Sequence, residues 1–218
     1  MPKTGMEAVR RAAAMDATLE CICETGEITL DLVAAKAGFS KGILAYYFQT
    51  KEHLLLESFR AFLSSYRRKI AAAVAGETDP LAMVKRVAAV ALPPLDEEKG
   101  KAIRVTGADE EIALPQEKIA KLFIHFVAKA AVDQRYQALA RETYALDTKG
   151  IAALLAYKGV LCDENKGAYG LLAIIYGLSF FRVMDFLPPG ERDNRGIAFD
   201  YIERLLSGTG NVDKEART

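Results

Sequence analysis

The sequence predicts an all-α fold of about nine or ten helices. Three observations predict it. No run of β-branched residues alternates with polar ones over a useful length. Helix start and stop signals recur along the whole chain. Hydrophobic residues make up 51% of the 218 positions and fall mainly at helical rather than alternating spacing.

The first helix is expected over Met6 to Glu24, where Ala12, Met15, Leu19 and Ile22 share helical spacing and Gly26 supplies a C-cap. Thr29 is placed to cap a short helix from Leu30 to Ala37. Gly38-Phe39-Ser40 makes a tight break, with Ser40 capping a second short helix over Lys41 to Tyr47. Gln49-Thr50 breaks the chain again, and Thr50 caps a long helix to about Val74. Asp79-Pro80 starts the next one, with aspartate as N-cap and proline at the first helical position, and Pro93-Pro94 stops it. Residues 95–114 carry the weakest pattern, with Gly100 and Gly107 suggesting short or broken helix. Further helices are expected from Pro115 to about Val132, from Asp133 to Tyr157 with an interruption near Gly150, from Asn165 to Phe186, and from Asn194 to Leu206. Pro188-Pro189-Gly190 separates the last two, and the polar tail after Ser207 reads as frayed.

Composition excludes several classes. The length allows one or two domains with a proper core. No apolar run approaches the roughly 18 residues of a membrane span, and the opening MPKTGMEAVRR lacks a secretory h-region, so a cytoplasmic location away from membranes is expected. Cys21, Cys23 and Cys162 are too few and too scattered for a disulfide framework or a zinc site, and they read as free thiols. No metal or cofactor is expected. Basic and acidic residues balance at 29 each, which argues against a broad positive field for nucleic acid. A DNA footprint must therefore come from the placement of charge.

Residues 28–54, ITLDLVAAKAGFSKGILAYYFQTKEHL, have the physical logic of a bihelical DNA reader. Leu32, Val33, Ala37, Phe39, Leu44 and Phe48 supply apolar contacts to lock two short helices around a turn of about three residues containing glycine. Ser40, Lys41, Ala45 and Tyr46 are left for the outer face and N-terminal end of the second helix. The free N–H groups at that end suit a phosphate. Arg10 and Arg11 are equally readable as DNA contacts from the first helix or as ordinary surface charge.

This stretch resembles the TetR family of bacterial repressors over roughly residues 9–56. The most specific part is GFSKGILAYYFQTKEHLL, with its Gly-x-Ser-x-Gly turn, Tyr-Phe pair and Lys-Glu step. The opening residues also look like the choline-responsive branch that represses betaine synthesis. The resemblance implies a ligand-responsive repressor that binds a pseudo-palindromic double-stranded DNA operator as a homodimer and is released by a small-molecule effector. It implies a DNA-binding domain over 1–55, a ligand-binding and dimerisation domain over 56–208, and a flexible tail over 209–218. Thr29 resembles the capping residue that touches phosphate. Ser40, Lys41, Gly42 and Ala45 occupy base-facing or groove-lining slots, and Tyr47 and Lys51 resemble phosphate anchors. Tyr46 lies on the exposed side, within reach of phosphate or base. Ala45 stands where many relatives carry tyrosine, and it offers a methyl surface in place of a hydrogen bond. Asp31 stands where relatives often carry a basic residue; it is read either as capping its helix or, near DNA, as a charge that repels phosphate.

Residues 56–206 carry little specific motif. Phe59, Phe62, Tyr66, Phe123, His125, Phe126, Tyr144 and Tyr157 are candidates for a pocket between helices, each weighed against an ordinary core role. Leu171, Ile175, Leu178 and Phe181 give the helix over 165–186 an apolar surface wide enough for both core and partner, and the helix near 133–157 is the expected second contributor to pairing. The chain has no tryptophan, the best ring for a quaternary ammonium, and Ser179-Phe180 stand where choline-type relatives tend to carry one. The effector is therefore left open. The long fourth helix, at Glu57 to Tyr66, is the expected lever between pocket and reader. An enzyme is not expected. Glu-x-x-His, His-Glu-x-x-His and P-loop motifs are absent, and the letters of Gly-x-Ser-x-Gly at Gly38 to Gly42 lie between helices rather than on a strand-turn-helix elbow. A helix-turn-helix activator or a partner-dependent regulator is the main alternative.

Overall fold

The structure, a computed structural model, describes residues 3–92, 103–105, 115–157, 163–186 and 194–207. Among these the helices are α1 (Lys3–Thr25), α2 (Leu30–Ala37), α3 (Lys41–Phe48), α4 (Lys51–Val74), α5 (Pro80–Ala91), α6 (Gln116–Ala130), α7 (Gln134–Tyr157), α8 (Glu164–Val183) and α9 (Arg195–Ser207). The chain divides into two compact units, Met1–Lys69 with Glu98–Ala140 and Ile70–Glu97 with Arg141–Thr218.

The helix starts follow from local chemistry. The Thr29 side chain accepts the Leu32 N–H, Ser40 accepts that of Ile43, and Asp79 accepts that of Ala82, each filling a donor that the first helical turn leaves open. Pro80 sits at the start of α5 as expected. Thr50 accepts the His53 N–H at 3.0 Å. Gly38 ends α2 in the left-handed region (φ 73°, ψ 26°), where a Cβ would be strained.

One expected break does not occur. Gly150 lies inside an uninterrupted α7. A single glycine costs a helix interior only about 1 kcal/mol, which packing on both sides of it outweighs. Of the uncertain stretch 95–114, only Ile103–Val105 is described; the glycines expected to break helix there lie outside the described residues, as does Cys162.

In the first unit the core gathers Leu19 and Ile22 of α1, Val33 and Ala34 of α2, Leu44 and Phe48 of α3, and Leu54, Phe59 and Phe62 of α4. Rings from α4, α6 and α7 interlock, tilted between Phe59 and Phe126 and edge to face in the other pairs. Phe59 meets Phe126 and Tyr136 at centroid distances of 5.5 and 6.0 Å, and Phe123 meets Phe62 and Tyr66 at 5.1 Å each. Beside this core lies a polar network centred on the buried Glu20. Glu20 takes Lys118 at 2.7 Å and also accepts the Ile103 N–H at 2.5 Å, while Asp16 accepts the Val105 N–H at 2.7 Å. Two carboxylates of α1 thus hold backbone donors about 85 positions away.

In the second unit Val84, Ala88 and Leu92 pack with Ile151 and Leu155 of α7, Leu171, Leu172 and Ile175 of α8, and Ala198 and Ile202 of α9. Lys85 pairs with Glu203. Asn194 joins α8 to the start of α9, accepting from Arg182 and donating to the Leu178 carbonyl.

Candidate nucleic-acid interface

Helices α2 and α3 form the two-helix unit that the sequence marks as the reader. Val33, Leu44 and Phe48 are buried, and Ala37 and Phe39 are half-buried between the two helices. Leu32, expected in the same lock, is instead 40% exposed, and Ala34, two positions on, faces inward. At about 100° per residue the two lie roughly 200° apart around the helix, so a short helix offers inward room to only part of an apolar cluster.

The opposite side of α3 is open. Lys41, Gly42, Ala45 and Tyr46 are exposed in a row, with Tyr46 at 80%. Ser40 is exposed at the N-terminal end of the helix. Tyr47 is half-buried, its ring edge-on to Tyr46 at 5.3 Å. Thr29 and Lys51 are exposed at the starts of α2 and α4. All eight residues expected to face DNA lie in the first unit on α2, α3, α4 or their caps, and none is buried.

Two contacts here were not legible in the sequence. Arg11 donates to the Tyr47 carbonyl at 2.8 Å, and its guanidinium lies over the Phe48 ring at 4.6 Å. It clamps the C-terminal end of α3, where a cation complements the helix dipole. Lys41 pairs with Asp31 at 2.9 Å across the outer face. Asp31 therefore does not cap α2; Thr29 does, and Asp31 holds the first lysine of the reader.

The exit of α3 is tight. Gln49 has φ 58° and ψ −49°, and the Thr50 N–H returns to the Phe48 carbonyl at 2.5 Å, closing a γ-turn. The His53 ring nitrogen meets the same carbonyl at 2.8 Å. This turn fixes the direction of α4, and with it Lys51, against α3.

The expected pocket residues divide. Phe62, Tyr66, Phe123 and Phe126 are buried ring against ring in the first unit, as core aromatics. Phe59 and His125 line a cleft of the same unit. Burial, and then the charge of Lys129, holds the His125 imidazole below its ordinary range. Tyr144 is in the second unit, edge-on to Tyr176 at 5.5 Å, with burial raising its phenol. The Tyr157 side chain lies outside the described residues. Of the residues expected on a pairing face, Leu171 and Ile175 are buried in the second unit's own core, Leu178 is half-buried and Phe181 is 47% exposed. Because α8 is apolar nearly all round, its sequence does not mark which side turns inward.

Cys21 is buried and Cys23 half-buried, and both are free. Burial, with Glu20 adding to it, pushes the Cys23 thiol up to about 12.

A two-helix unit with an internal apolar lock and an open second-helix face defines a helix-turn-helix regulator. The family model of bacterial regulatory proteins of the tetR family matches residues 14–58, which span that unit. The chain is 37% identical over 211 residues to the HTH-type transcriptional regulator BetI of Agrobacterium fabrum, covering 94% of this chain and 92% of that one. It is 29% identical over 214 residues to BetI of Burkholderia cenocepacia, covering 95% and 99%. It belongs to the TetR family of DNA-binding transcriptional regulators, not to an enzyme family. Solved structures carry the same fold. A transcriptional regulator from a Rhodococcus species superposes with a TM-score of 0.73 at 21% identity, covering 91% of this chain and 96% of that one. One from Saccharomonospora viridis, in complex with choline, gives 0.67 at 18%, covering 91% and 93%. Among the described residues no helix is long and apolar enough to cross a membrane.

Proposed function

We propose that the protein is a ligand-responsive repressor that binds a pseudo-palindromic operator as a homodimer and leaves it when a small-molecule effector binds. The observation that carries this reading is the exposed row Lys41, Gly42, Ala45 and Tyr46 on a helix whose other side is locked by Leu44 and Phe48. Side chains that protrude from a rigid scaffold without serving its core suit a groove. Ser40, Lys41, Gly42, Ala45 and Tyr46 enter the major groove, while Thr29, Tyr47 and Lys51 hold phosphates on either side. In this reading residues 1–55 are the DNA-binding domain, 56–208 bind effector and pair two chains, and 209–218 form the tail. The protein works in the cytoplasm, where its DNA is.

Pairing is supported by exposed apolar side chains on α8 and α9: Tyr169, Phe181, Ile197 and Tyr201. A symmetric pair sets two copies of α3 about one DNA turn, roughly 34 Å, apart. Release by effector is the role the family resemblance implies, and a ligand that favours another spacing shifts the population off DNA. Choline is one effector to try, since a structural neighbour holds it.

The test is a gel-shift titration of the folded protein against DNA upstream of its own gene. A retarded band with two chains per site is expected, and it weakens steeply with salt. Absence of any shift at low salt overturns the reading. Reporter expression in a deletion strain separates repression from activation: loss of a repressor raises the target, loss of an activator lowers it.

A further inference from the structure

Arg11 is half-buried on α1, and its guanidinium is committed on two sides. One nitrogen donates to the Tyr47 carbonyl at 2.8 Å, and the guanidinium carbon lies 4.6 Å from the centre of the Phe48 ring, a side chain only 1% exposed. A cation spent on a carbonyl and a core ring is not held out to a phosphate. The arginine is thus neither of the two things its sequence allows, a DNA contact or a plain surface charge.

The place it holds is one that local chemistry leaves weak. Helix α3 has 8 residues, far short of the length at which a helix stands alone. Its N-terminal cap, from the Ile43 N–H to the Ser40 hydroxyl, is long at 3.4 Å. Its C-terminal end runs into Gln49 at φ 58°, a shape that a residue with a Cβ keeps only when its surroundings enforce it. The last two carbonyls of α3, those of Tyr47 and Phe48, come just before that residue. Arg11 holds the first from 36 positions earlier, while the Thr50 N–H and the His53 Nδ1 hold the second. A carbonyl can only accept, so that histidine nitrogen carries the proton. Helix α1 is itself anchored, because Asp16 and Glu20 accept the Val105 and Ile103 N–H groups and Leu19 and Ile22 are buried. Arg11 therefore ties a short helix with a strained exit to a fixed post.

We propose that Arg11 is a positioning residue for sequence recognition: without touching DNA, it fixes the angle of α3 and the turn after it, and so decides how well Lys41, Ala45 and Tyr46 meet the bases. The inference rests on the reading of α3 as the helix in the groove. Its signature is a loss of discrimination rather than of attraction. Phosphate contacts serve every sequence alike, whereas base contacts are made only when the helix that carries them is held within narrow limits.

Arg11→Gln tests this in two measurements on the full chain. In hydrogen exchange of the free protein, peptides within residues 41–50 should exchange about tenfold faster, the worth of one hydrogen bond from a charged donor, while those of α8 and α9 keep their wild-type rates. Unchanged exchange over residues 41–50 overturns the clamp. In titrations of DNA, affinity for the upstream fragment should fall about tenfold per reader, or up to about a hundredfold for two. Binding of unrelated DNA of the same length should change by less than about threefold and keep its salt dependence. Equal losses on both DNAs, with the salt slope on unrelated DNA reduced by about 0.9 for each chain, mark a direct phosphate contact and overturn the proposal. So does discrimination equal to that of the wild type. Arg11→Lys keeps the charge but lacks the planar fork that serves carbonyl and ring together, so it recovers only part of the lost affinity, and full recovery also overturns the proposal. Should Arg11→Gln fail to fold, the lysine variant carries both measurements. The exchange experiment contains no DNA, so a failed clamp is distinguishable from a failed groove reading, which shows as wild-type protein with no preference for the upstream fragment.

Discussion

Replacing Asp31 by asparagine should tighten DNA binding. The Lys41 ammonium sits 2.9 Å from the Asp31 carboxylate, with the two side chains 58% and 72% exposed. An ion pair in that setting holds at most about 1 kcal/mol, because water and salt screen it. Lys41 must give up that much to serve a phosphate or base, and the freed carboxylate then stands as a like charge beside the DNA backbone. Asp31→Asn removes both penalties while keeping the shape of the side chain. With two copies of the reader on one operator, the gain sums to about 1–2 kcal/mol, or roughly five- to thirtyfold. Fluorescence anisotropy with labelled upstream DNA at about 0.15 M salt measures it. Folding stability should fall by no more than about 1 kcal/mol, the worth of the same ion pair in the free protein, since Thr29 and not Asp31 caps α2. The double variant Asp31→Asn/Lys41→Gln locates the source, because the gain that depends on Lys41 disappears from the cycle. Unchanged or weaker binding by a stably folded Asp31→Asn protein would refute the reasoning. So would a gain that survives in full when Lys41 is gone.

Two further predictions concern the scaffold of the first unit. Glu20→Gln leaves the half-buried Lys118 beside a neutral amide, and breaking a largely desolvated pair from one side costs about 3 kcal/mol. For a chain of this size that lowers the thermal midpoint by roughly 6–12 °C, and scanning calorimetry showing a shift under about 1 °C would contradict the network's importance. His125 has a folded-state affinity for protons lowered by burial and then by Lys129. The unfolded chain therefore binds the extra proton first, and stability falls as pH drops below about 6.5, levelling off once the folded ring is also charged. Urea titrations at several pH values should show this slope, and His125→Gln should flatten it; an identical slope in the variant assigns it elsewhere.

How much the sequence discloses depends on how local the cause is. The reader was legible because its signals act within four residues: Thr29, Ser40 and Thr50 each accept an N–H three positions on, and Gly38 takes a backbone shape that other residues avoid. The outward placement of Lys41, Ala45 and Tyr46 followed from helical spacing alone. Contacts between distant positions were not legible. Nothing local to Glu20 announces Lys118 or the Ile103 amide, and Arg11 gives no sign that it will close on the Tyr47 carbonyl. Leu32 turned outward because apolar spacing names candidates for a lock without saying how many fit. The same ambiguity hid the inward side of α8, where Leu171 and Ile175 serve the unit's own core and Phe181 stays exposed.

The most direct measurement places a DNA-cleaving chelate on the outer face of α3. Ala45→Cys offers an exposed thiol there, in a background where Cys21 is buried, Cys23 has its thiol pushed up to about 12, and Cys162→Ser removes the third. With an iron chelate attached and the protein bound to its upstream DNA, strand cleavage should fall in two clusters about one helical turn apart, centred on major-groove faces. Cleavage spread evenly along the fragment by protein that still retards the DNA would show that α3 is not the element in the groove.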